Sequence, residues 1–211
     1  MLRVLHSLFH QRLPGRAIER YLRLLPVSIR LSINKYRRWQ DSQAVLLGQL
    51  LLLEGLQEAG GRPVRLDKLR RDDYGRPYLD GAIDFNISHS AGGAVCVLTA
   101  QGRVGIDLER FKPTDLPDFQ AWFTRKEWTA VTAANEPLRE FYRLWTAKES
   151  VLKADGRGLS LSPLDVALNG ETATLDGRRW FIREIKMGDD YLCHVAANIP
   201  CSEIILSEKV F

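Results

Sequence analysis

The chain has 211 residues, of which 45% are hydrophobic and 27% are charged, and its formal net charge is +4. Its three cysteines have no C-x-x-C spacing and are odd in number, which suggests neither a disulfide framework nor a zinc site, and no run of 18 apolar residues is present to cross a membrane. We therefore expect a cytoplasmic globular protein, and its positive charge favours an anionic partner: nucleic acid, a polyanionic small molecule or an acidic protein.

The first half of the sequence predicts strands at both ends and helices between them. A strand over 2–9 is followed by helices over 16–25, 28–39 and 42–59, the last with Asp41 as its N-cap and Gly60-Gly61 at its end. Two further strands are predicted over 82–86 and 94–100, with a loop of small residues at 88–93 between them. Because Gln101-Gly102 makes a tight connection, we predict that strand 94–100 forms a hairpin with the next strand, 104–109.

The second half repeats this order of elements. Thr124 is the predicted cap of a helix that ends near 134, a long helix covers 137–155, and four strands follow, over 166–168, 172–175, 179–186 and 191–196. The repeated order predicts an α+β fold with two similar lobes (a pseudo-dimer), each a small, mostly antiparallel sheet packed with helices. The predicted domains are an N-terminal lobe, 1–102, and a C-terminal lobe, 103–211.

The strand over 104–109 carries the first candidate site. Val104, Ile106 and Leu108 alternate with Gly105, Asp107 and Glu109, and this period of two is typical of a strand with one apolar face. Asp107 and Glu109 therefore lie on one face, about 6–7 Å apart. Carboxylates at this spacing repel each other unless a cation or solvent lies between them. A solvated edge strand is the alternative interpretation.

A third carboxylate, Glu149, lies on the helix over 137–155. It interrupts an apolar stripe that includes Trp145 and Leu152, and Lys153 follows it at i+4, on the same side of the helix. A carboxylate on a core-facing stripe is costly unless it is paired or binds a metal. An internal pair of Glu149 with Lys153 would explain it, but Asp107, Glu109 and Glu149 together also make an all-oxygen site that suits Mg²⁺.

Several residues outside this trio could bind an anion. Ser88 and His89 lie in the predicted loop of small residues, and Arg76 lies on a turn just upstream. Lys35, Arg37 and Arg38 form a basic patch, for which a solvated helix face is the alternative interpretation. The aromatic residues Phe119, Trp122, Phe123 and Trp128 are interpreted as core of the second lobe or as a docking surface.

Four sequence motifs occur here in the order found in one family. They are FNISHS at 85–90, VGIDLE at 104–109, WTAKESVLK at 145–153 and GRGLS at 156–160. With YGRP at 74–77, they resemble the 4′-phosphopantetheinyl transferases, and their spacing resembles the monomeric, two-lobed, surfactin-synthetase-activating type. The resemblance covers about residues 30–165.

The resemblance implies transfer of the phosphopantetheine arm of coenzyme A to a serine of an acidic acyl or peptidyl carrier protein, with release of adenosine 3′,5′-bisphosphate. Asp107, Glu109 and Glu149 would hold Mg²⁺, or Mn²⁺, at the seam between the lobes. Glu149 and Lys153 would be catalytic. The implied coenzyme A contacts are Lys35, Arg38, Arg76, Ser88, His89 and Lys153.

Nucleic acid and membrane are not among the partners that the resemblance implies, and a monomer is expected. Two other functions remain open from the residues alone. One is a non-enzymatic basic module that binds nucleic acid or a phosphorylated ligand. The other is a different Mg²⁺-dependent phosphoryl-transfer enzyme, because a carboxylate trio does not define its substrate.

One departure from the family pattern yields a prediction. Many members carry a basic residue for the 3′-phosphate just before the position of Leu46, where this chain has Gln43, Ala44 and Val45. We expect Arg37 or Arg38 to substitute in part. Replacing the responsible arginine with alanine should raise the KM for coenzyme A roughly fivefold, because an exposed charge-assisted hydrogen bond contributes about 1 kcal/mol. An unchanged KM in both single variants would exclude this role.

Overall fold

The protein is described by a computed structural model that covers residues 1–60 and 65–211. Gly61, part of the predicted end of the third helix, lies outside the described residues. Within these two ranges the α-helices are α1 (Gly15–Leu22), α2 (Val27–Ile33), α3 (Trp39–Gly60), α4 (Arg125–Ala133) and α5 (Pro137–Asp155). No helix in the described ranges is long and apolar enough to cross a membrane.

The strands of the described residues form two large sheets and one small ribbon. In chain order they are β1 (Leu2–Leu8), β2 (Arg70–Arg71), β3 (Pro77–Tyr78), β4 (Asp84–Ser90), β5 (Gly93–Thr99), β6 (Val104–Arg110), β7 (Ala167–Asn169), β8 (Thr172–Leu175), β9 (Arg178–Glu184), β10 (Tyr191–Ala197) and β11 (Ile204–Glu208). The first sheet has the order β11-β1-β5-β4 and the second has the order β6-β10-β9-β8-β7, while β2 pairs with β3.

The predicted fold class is confirmed, because both sheets are mostly antiparallel and each packs against helices. All pairs in the second sheet are antiparallel, and in the first sheet only β1 and β11 run parallel. The boundary between 102 and 103 stays a prediction. Strand β11, from the predicted C-terminal lobe, is hydrogen-bonded to β1 of the predicted N-terminal lobe.

Three apolar layers hold the sheets and helices together. Leucines of α3 cover one face of the first sheet, against Phe85 and Leu98. Valines on the other face of that sheet pack against Val104, Ile106 and Leu108 of β6. The far face of the second sheet is covered by α5. The order of layers is therefore α3, first sheet, second sheet, α5, and β6 lies at the centre of the molecule.

A row of side chains on β4 joins the two sheets at their edges. Strands β4 and β6 are edge strands, and their backbones do not pair. Instead, alternate side chains of β4 accept hydrogen bonds from alternate N–H groups of β6, always 20 residues further along the chain. The pairs are Asp84 Oδ2 with Val104 (2.8 Å), Asn86 Oδ1 with Ile106 (3.0 Å), Ser88 Oγ with Leu108 (3.2 Å) and Ser90 Oγ with Arg110 (3.0 Å).

The long helix α5 and the helix α4 have the predicted bounds and caps. Thr124 and Glu127 form a capping box at the start of α4, and Gly156 ends α5 in the left-handed conformation, with φ of 94°. The predicted apolar stripe is only part of the buried surface of α5. Ala147, Val151 and Ala154 face the second sheet as well, so the helix is buried on most of its circumference.

The predicted helix over 28–39 is wrong in its second half. Helix α2 ends at Ile33, and the N–H groups of Lys35 and Tyr36 bond to carbonyls three residues back, which tightens and ends the turn. Helix α3 then begins at Trp39, so Asp41 lies within its first turn rather than at its N-cap.

The predicted hairpin between β5 and β6 is also wrong. Both edges of β5 are occupied, by β1 and β4, so the chain crosses at Gln101-Gly102 to pair β6 with β10 in the other sheet. The hairpin is β4–β5 instead, and its turn is only Ala91-Gly92, with a φ of 83° at Gly92. Ser88, His89 and Ser90 are therefore strand residues rather than the predicted loop residues.

We predict that Gly105→Ala destabilises the protein by about 2–4 kcal/mol. A Cβ at Gly105 would overlap the backbone of α5 at Ser150 and Ala154, so the helix would have to move away from β6. Chemical denaturation measures the loss. Gly48→Ala is the comparison variant, because its Cβ would meet a side-chain atom, Ile87 Cγ2 at 2.8 Å, and no backbone atom, and alanine favours the helix. Equal losses in the two variants would contradict the proposed close packing.

Candidate active site

The carboxylates predicted from the sequence come together where α5 packs on β6. Asp107 is only 4% exposed. Its Oδ1 accepts hydrogen bonds from Lys153 Nζ at 2.5 Å and from Ser88 Oγ at 3.2 Å. Its Oδ2 is buried and has no hydrogen-bond partner among the residues described. An unpartnered buried carboxylate oxygen is costly, so this atom is suited to bind a further cation or donor.

The pKa values of the site show how its charges interact. Burial and the nearby negative charge of Asp107 raise the pKa of both Glu109 and Glu149, whereas the Lys153 ammonium acts in the opposite direction on both. For Lys153, desolvation by burial lowers the pKa, but the hydrogen bond to Asp107 and the combined negative charge of Asp107, Glu149 and Glu109 outweigh it, so the pKa is raised. The sequence predicts a cation between Asp107 and Glu109, and the Lys153 ammonium provides part of that positive charge.

Serines of β4 hold the carboxylates of β6 from the other side. Ser88 Oγ donates to Asp107 and also accepts from Lys153 Nζ at 2.9 Å. Ser90 Oγ donates to Glu109 Oε2 at 3.0 Å. Ser90 was not predicted as a site residue. Ser90 lies two residues after Ser88, so the two side chains would share one face of a strand. Because a loop was predicted at 88–93, this spacing was not used.

His89 lies next to these serines but on the other side of β4. It is exposed, yet partial desolvation of the imidazole and the charge of Lys153 lower its pKa, while Asp41 of α3 acts in the opposite sense. Arg38 Nε lies 4.0 Å from Asp41 Oδ2. Asp41, in the first turn of α3, therefore lies near both Arg38 and His89. Lys35 and Arg37 are exposed in the turn before α3.

Gln43, one of the residues at the expected departure from the family pattern, has a structural role. Its side chain is buried and bonds to the backbone of Gln11 and Leu13. These two hydrogen bonds hold the segment that precedes α1 against α3.

Arg76 is more buried than the sequence suggested. Its guanidinium donates to Asp84 Oδ2 at 2.7 Å, to the carbonyls of Phe85 (3.1 Å) and Val104 (3.0 Å), and to the carbonyl of Lys153. Desolvation by burial lowers its pKa, in spite of the Asp84 carboxylate. The guanidinium thus cross-links β4, β6 and α5, and its predicted contact with an anion stays a prediction.

A cavity of about 500 Å³ opens beside Glu149 and Lys153. Its walls also include residues that were not predicted to be catalytic, to bind coenzyme A or to bind metal. They are Tyr74, Asn86, Trp122, Trp145, Leu152, Leu161 and Pro163. The predicted aromatic segment divides here, because Phe119 and Phe123 pack on Phe141 and Trp145, whereas Trp122 is 44% exposed at the cavity.

The donor set at this site fits a hard divalent cation, although the described residues contain no group of three or more His, Cys, Asp or Glu side chains that forms a ready metal site. The fit rests on Asp107 Oδ2, which has no partner, and on two further carboxylates, Glu109 and Glu149, whose pKa values are raised by burial and by repulsion from Asp107. Mg²⁺ commonly takes only a few carboxylates and keeps several waters, which agrees with such an incomplete set.

Comparison with known proteins shows to which family the chain belongs. A family model described as "4'-phosphopantetheinyl transferase, N-terminal" matches residues 15–103, and one described as "4'-phosphopantetheinyl transferase superfamily" matches residues 103–196. The chain belongs to the 4′-phosphopantetheinyl transferase superfamily, and within it to the type represented by Sfp. The resemblance predicted from the sequence motifs is confirmed.

Three relatives illustrate the similarity. The 4′-phosphopantetheinyl transferase gsp of Aneurinibacillus migulanus is 36% identical over 127 residues, 59% of this chain and 53% of that protein. The 4′-phosphopantetheinyl transferase Sfp of Bacillus subtilis (strain 168) is 33% identical over 155 residues, which are 70% of this chain and 66% of that protein. The L-aminoadipate-semialdehyde dehydrogenase-phosphopantetheinyl transferase of Mus musculus is 30% identical over 201 residues, which cover 80% of this chain and 65% of that protein. The chain thus spans from about half to just under two thirds of the length of these relatives.

We predict that Asp107 and Lys153 stabilise the fold as a coupled pair. Asp107→Asn should lower the free energy of unfolding by about 1–2 kcal/mol. This loss is smaller than that for breaking a fully buried ion pair, because 30% of the Lys153 side chain is exposed and the change also relieves repulsion on Glu149. In the background of Lys153→Met the same change should cost less, by about 0.5–1 kcal/mol. Urea denaturation of the four proteins in chelator measures this coupling, and additive losses would contradict it.

Proposed function

We propose that the protein transfers the 4′-phosphopantetheine arm of coenzyme A to a serine of an apo acyl or peptidyl carrier protein, with Mg²⁺ or Mn²⁺ as the metal and adenosine 3′,5′-bisphosphate as the second product. The observation that carries this proposal is the cluster of Asp107, Glu109, Glu149 and Lys153 at the join of the two matched family regions. Here the active site would lie between the predicted lobes.

The reaction needs little covalent chemistry from the protein. The serine Oγ attacks the phosphorus next to the pantetheine arm, the bond from that phosphorus to the bridging pyrophosphate oxygen breaks, and the serine proton must leave. Such transfers are accelerated mainly by positioning and by charge stabilisation. A Mg²⁺ ion held by Asp107, Glu109 and Glu149 would supply positive charge against the pyrophosphate.

Glu149 is the proposed general base. Burial and the charge of Asp107 raise its pKa, which makes its carboxylate a better proton acceptor than an exposed glutamate. It lines the cavity, so an acceptor serine could reach it.

Lys153 is the proposed cation for the transferred phosphoryl group. Its ammonium is already held by Asp107 and Ser88, and its side chain is part-exposed towards the same cavity. Fixed in this way, it could stabilise negative charge without a large rearrangement.

The remaining contacts with coenzyme A are assigned by charge and place. We assign the 3′-phosphate to His89 on β4 and to Lys35 and Arg38, which lie just before α3 in the chain. Ser88 would contact the phosphates from β4. Arg76 would contribute through the surface that it presents to the cavity, because its guanidinium donors are bonded to protein acceptors.

The proposed protein partner is an acidic carrier, and the proposed enzyme is a cytoplasmic monomer. The net charge of +4 would attract an acidic carrier and make association sensitive to salt. Trp122 is exposed beside Glu149 at the cavity, where an incoming carrier serine would have to pass.

We predict that an apo carrier protein incubated with the enzyme, coenzyme A and Mg²⁺ gains the mass of phosphopantetheine. Glu149→Gln should slow this gain by about 10²-fold or more, because it removes the proposed base and a proposed metal ligand. Intact-mass spectrometry follows the reaction.

The matched control for this assay is Glu140→Gln. Glu140 lies on the same helix but pairs with Arg143 at the surface, so transfer should be retained. No mass gain on several different carriers would refute the proposed activity, as would unchanged transfer by Glu149→Gln.

A further inference from the structure

A second cavity lies on the outer side of α3. Its volume is about 900 Å³, larger than the 500 Å³ of the cavity beside Glu149. Among the residues that line it are Leu50, Leu53, Glu54 and Gln57 of α3. Their spacing of i, i+3, i+4 and i+7 places all four on one face of the helix. The cavity thus runs along a single face of α3, between the connection from α1 to α2 and the turn at 66–68.

The opposite face of α3 packs on the first sheet. Cβ atoms at Gly48 and Gly55 would meet the side chains of Ile87 on β4 and Leu98 on β5. With 3.6 residues per turn, these two glycines lie about 180° around the helix from the residues that line the cavity. The body of α3 and the first sheet therefore separate the cavity from Asp107, and the proposed transfer reaction does not use it.

The walls of this cavity are mainly apolar. Leu25, Leu50 and Leu66 belong to the lining and are buried, whereas Leu24 and Val27, also in the lining, are more than half exposed. Small-molecule sites in proteins are apolar hollows of roughly 300–1,000 Å³ with a few polar groups. The volume and the apolar walls of the cavity suit a ligand with an alkyl chain.

The charged residues of the lining leave an excess of positive charge. Both acidic side chains, Glu54 and Asp67, have a lysine or arginine nitrogen at 3.4 Å. Arg23 and Arg30 also line the cavity, and neither forms an ion pair within residues 1–60 and 65–211. These two arginines are therefore available to an anion.

Arg30 gives the second indication of an anionic ligand. Its Nε is shielded from solvent and has no hydrogen-bond partner in the part of the chain that the structure describes. A buried donor without an acceptor is costly, and more so when it carries charge. A guanidinium binds a carboxylate through two parallel N–H donors, of which Nε can be one. A turn of this half-buried side chain towards a carboxylate in the cavity would relieve the cost.

We propose that this cavity binds an acyl carboxylate, with its alkyl chain along the leucine walls and its carboxylate on Arg30 and Arg23. A neutral alkyl ligand would leave Nε of Arg30 without an acceptor. A phosphate is disfavoured, because three arginines oppose two acidic residues in the lining and a dianion would be repelled by Glu54 and Asp67. The site is independent of the proposed transfer reaction.

The test is calorimetric titration of the protein with octanoate, and with 1-octanol as the neutral ligand of equal chain length. We expect one octanoate site per chain and binding of 1-octanol that is about 5- to 30-fold weaker, the effect of a lost charge-assisted hydrogen bond at a partly exposed site. Arg30→Met keeps an apolar side chain of similar length and removes the guanidinium. It should weaken octanoate by the same factor and leave 1-octanol unchanged.

The matched control is Arg16→Met. Arg16 is an exposed arginine of α1 that does not line the cavity, so octanoate should bind this variant as it binds the wild type. An equal loss in the control would indicate general attraction by the basic surface and overturn the proposal. Absence of octanoate binding, or equal affinity for 1-octanol, would also overturn it. If Arg30→Met does not fold, Arg23→Met is measured against the same criteria.

Two further measurements locate the ligand. Saturating coenzyme A should leave the affinity for octanoate unchanged, whereas displacement would place octanoate in the cavity beside Glu149 and overturn the proposal. Sedimentation tests a second copy of the chain as the occupant. A dimer that Leu24→Asp dissociates would assign the apolar rim to that copy and overturn the proposal, and a monomer agrees with it. Octanoate binding by a protein that transfers no phosphopantetheine would refute the proposed function alone.

Discussion

The site depends on the row of hydrogen bonds from the side chains of β4 to the backbone of β6. The outward N–H groups of β6 are at the edge of its sheet and are buried, so each needs an acceptor. Four consecutive even-numbered residues of β4 provide one, with a constant separation of 20 residues. This row fixes the register of the two sheets, because a shift by one residue would turn the apolar side chains of β4 towards β6.

The same register brings the charged groups together. Ser88 reaches both the N–H of Leu108 and the carboxylate of Asp107, and Ser90 does the same for Arg110 and Glu109. On the opposite side, Gly105 lets the backbone of α5 approach β6 closely, which places Glu149 and Lys153 beside Asp107. Three carboxylates are thus held near one another, and their repulsion is offset in part by one ammonium. That residual negative charge is what suits the site to a divalent cation.

Much of this could be predicted from the sequence, because its signals are local. Strand β6 has a strict period of two, α4 has a Thr124–Glu127 capping box, and α5 is bounded by Pro137 and Gly156. The carboxylates and Lys153 followed from their positions on these elements and from the family motifs. The family and the fold class were confirmed, whereas the roles of the individual site residues remain proposals.

The features that were missed depend on contacts distant in the sequence. The polar residues Asp84, Asn86, Ser88 and Ser90 alternate as strand residues do, but Ser88 and Ser90 were interpreted as loop because small residues and glycines follow them. The buried state of Arg76 results from acceptors on three different elements, none of them adjacent in the sequence. The parallel pairing of β11 with β1 joins the two ends of the described chain and has no local signal.

The central claim is that the cluster around Asp107 binds a divalent cation for phosphoryl transfer. Electron paramagnetic resonance of Mn²⁺ titrated into the protein tests it directly. The account predicts one bound ion per chain in the wild type, and loss of that site in Asp107→Asn. Retention of the site in Asp107→Asn, or the absence of any bound ion in the wild type with coenzyme A present, would contradict it.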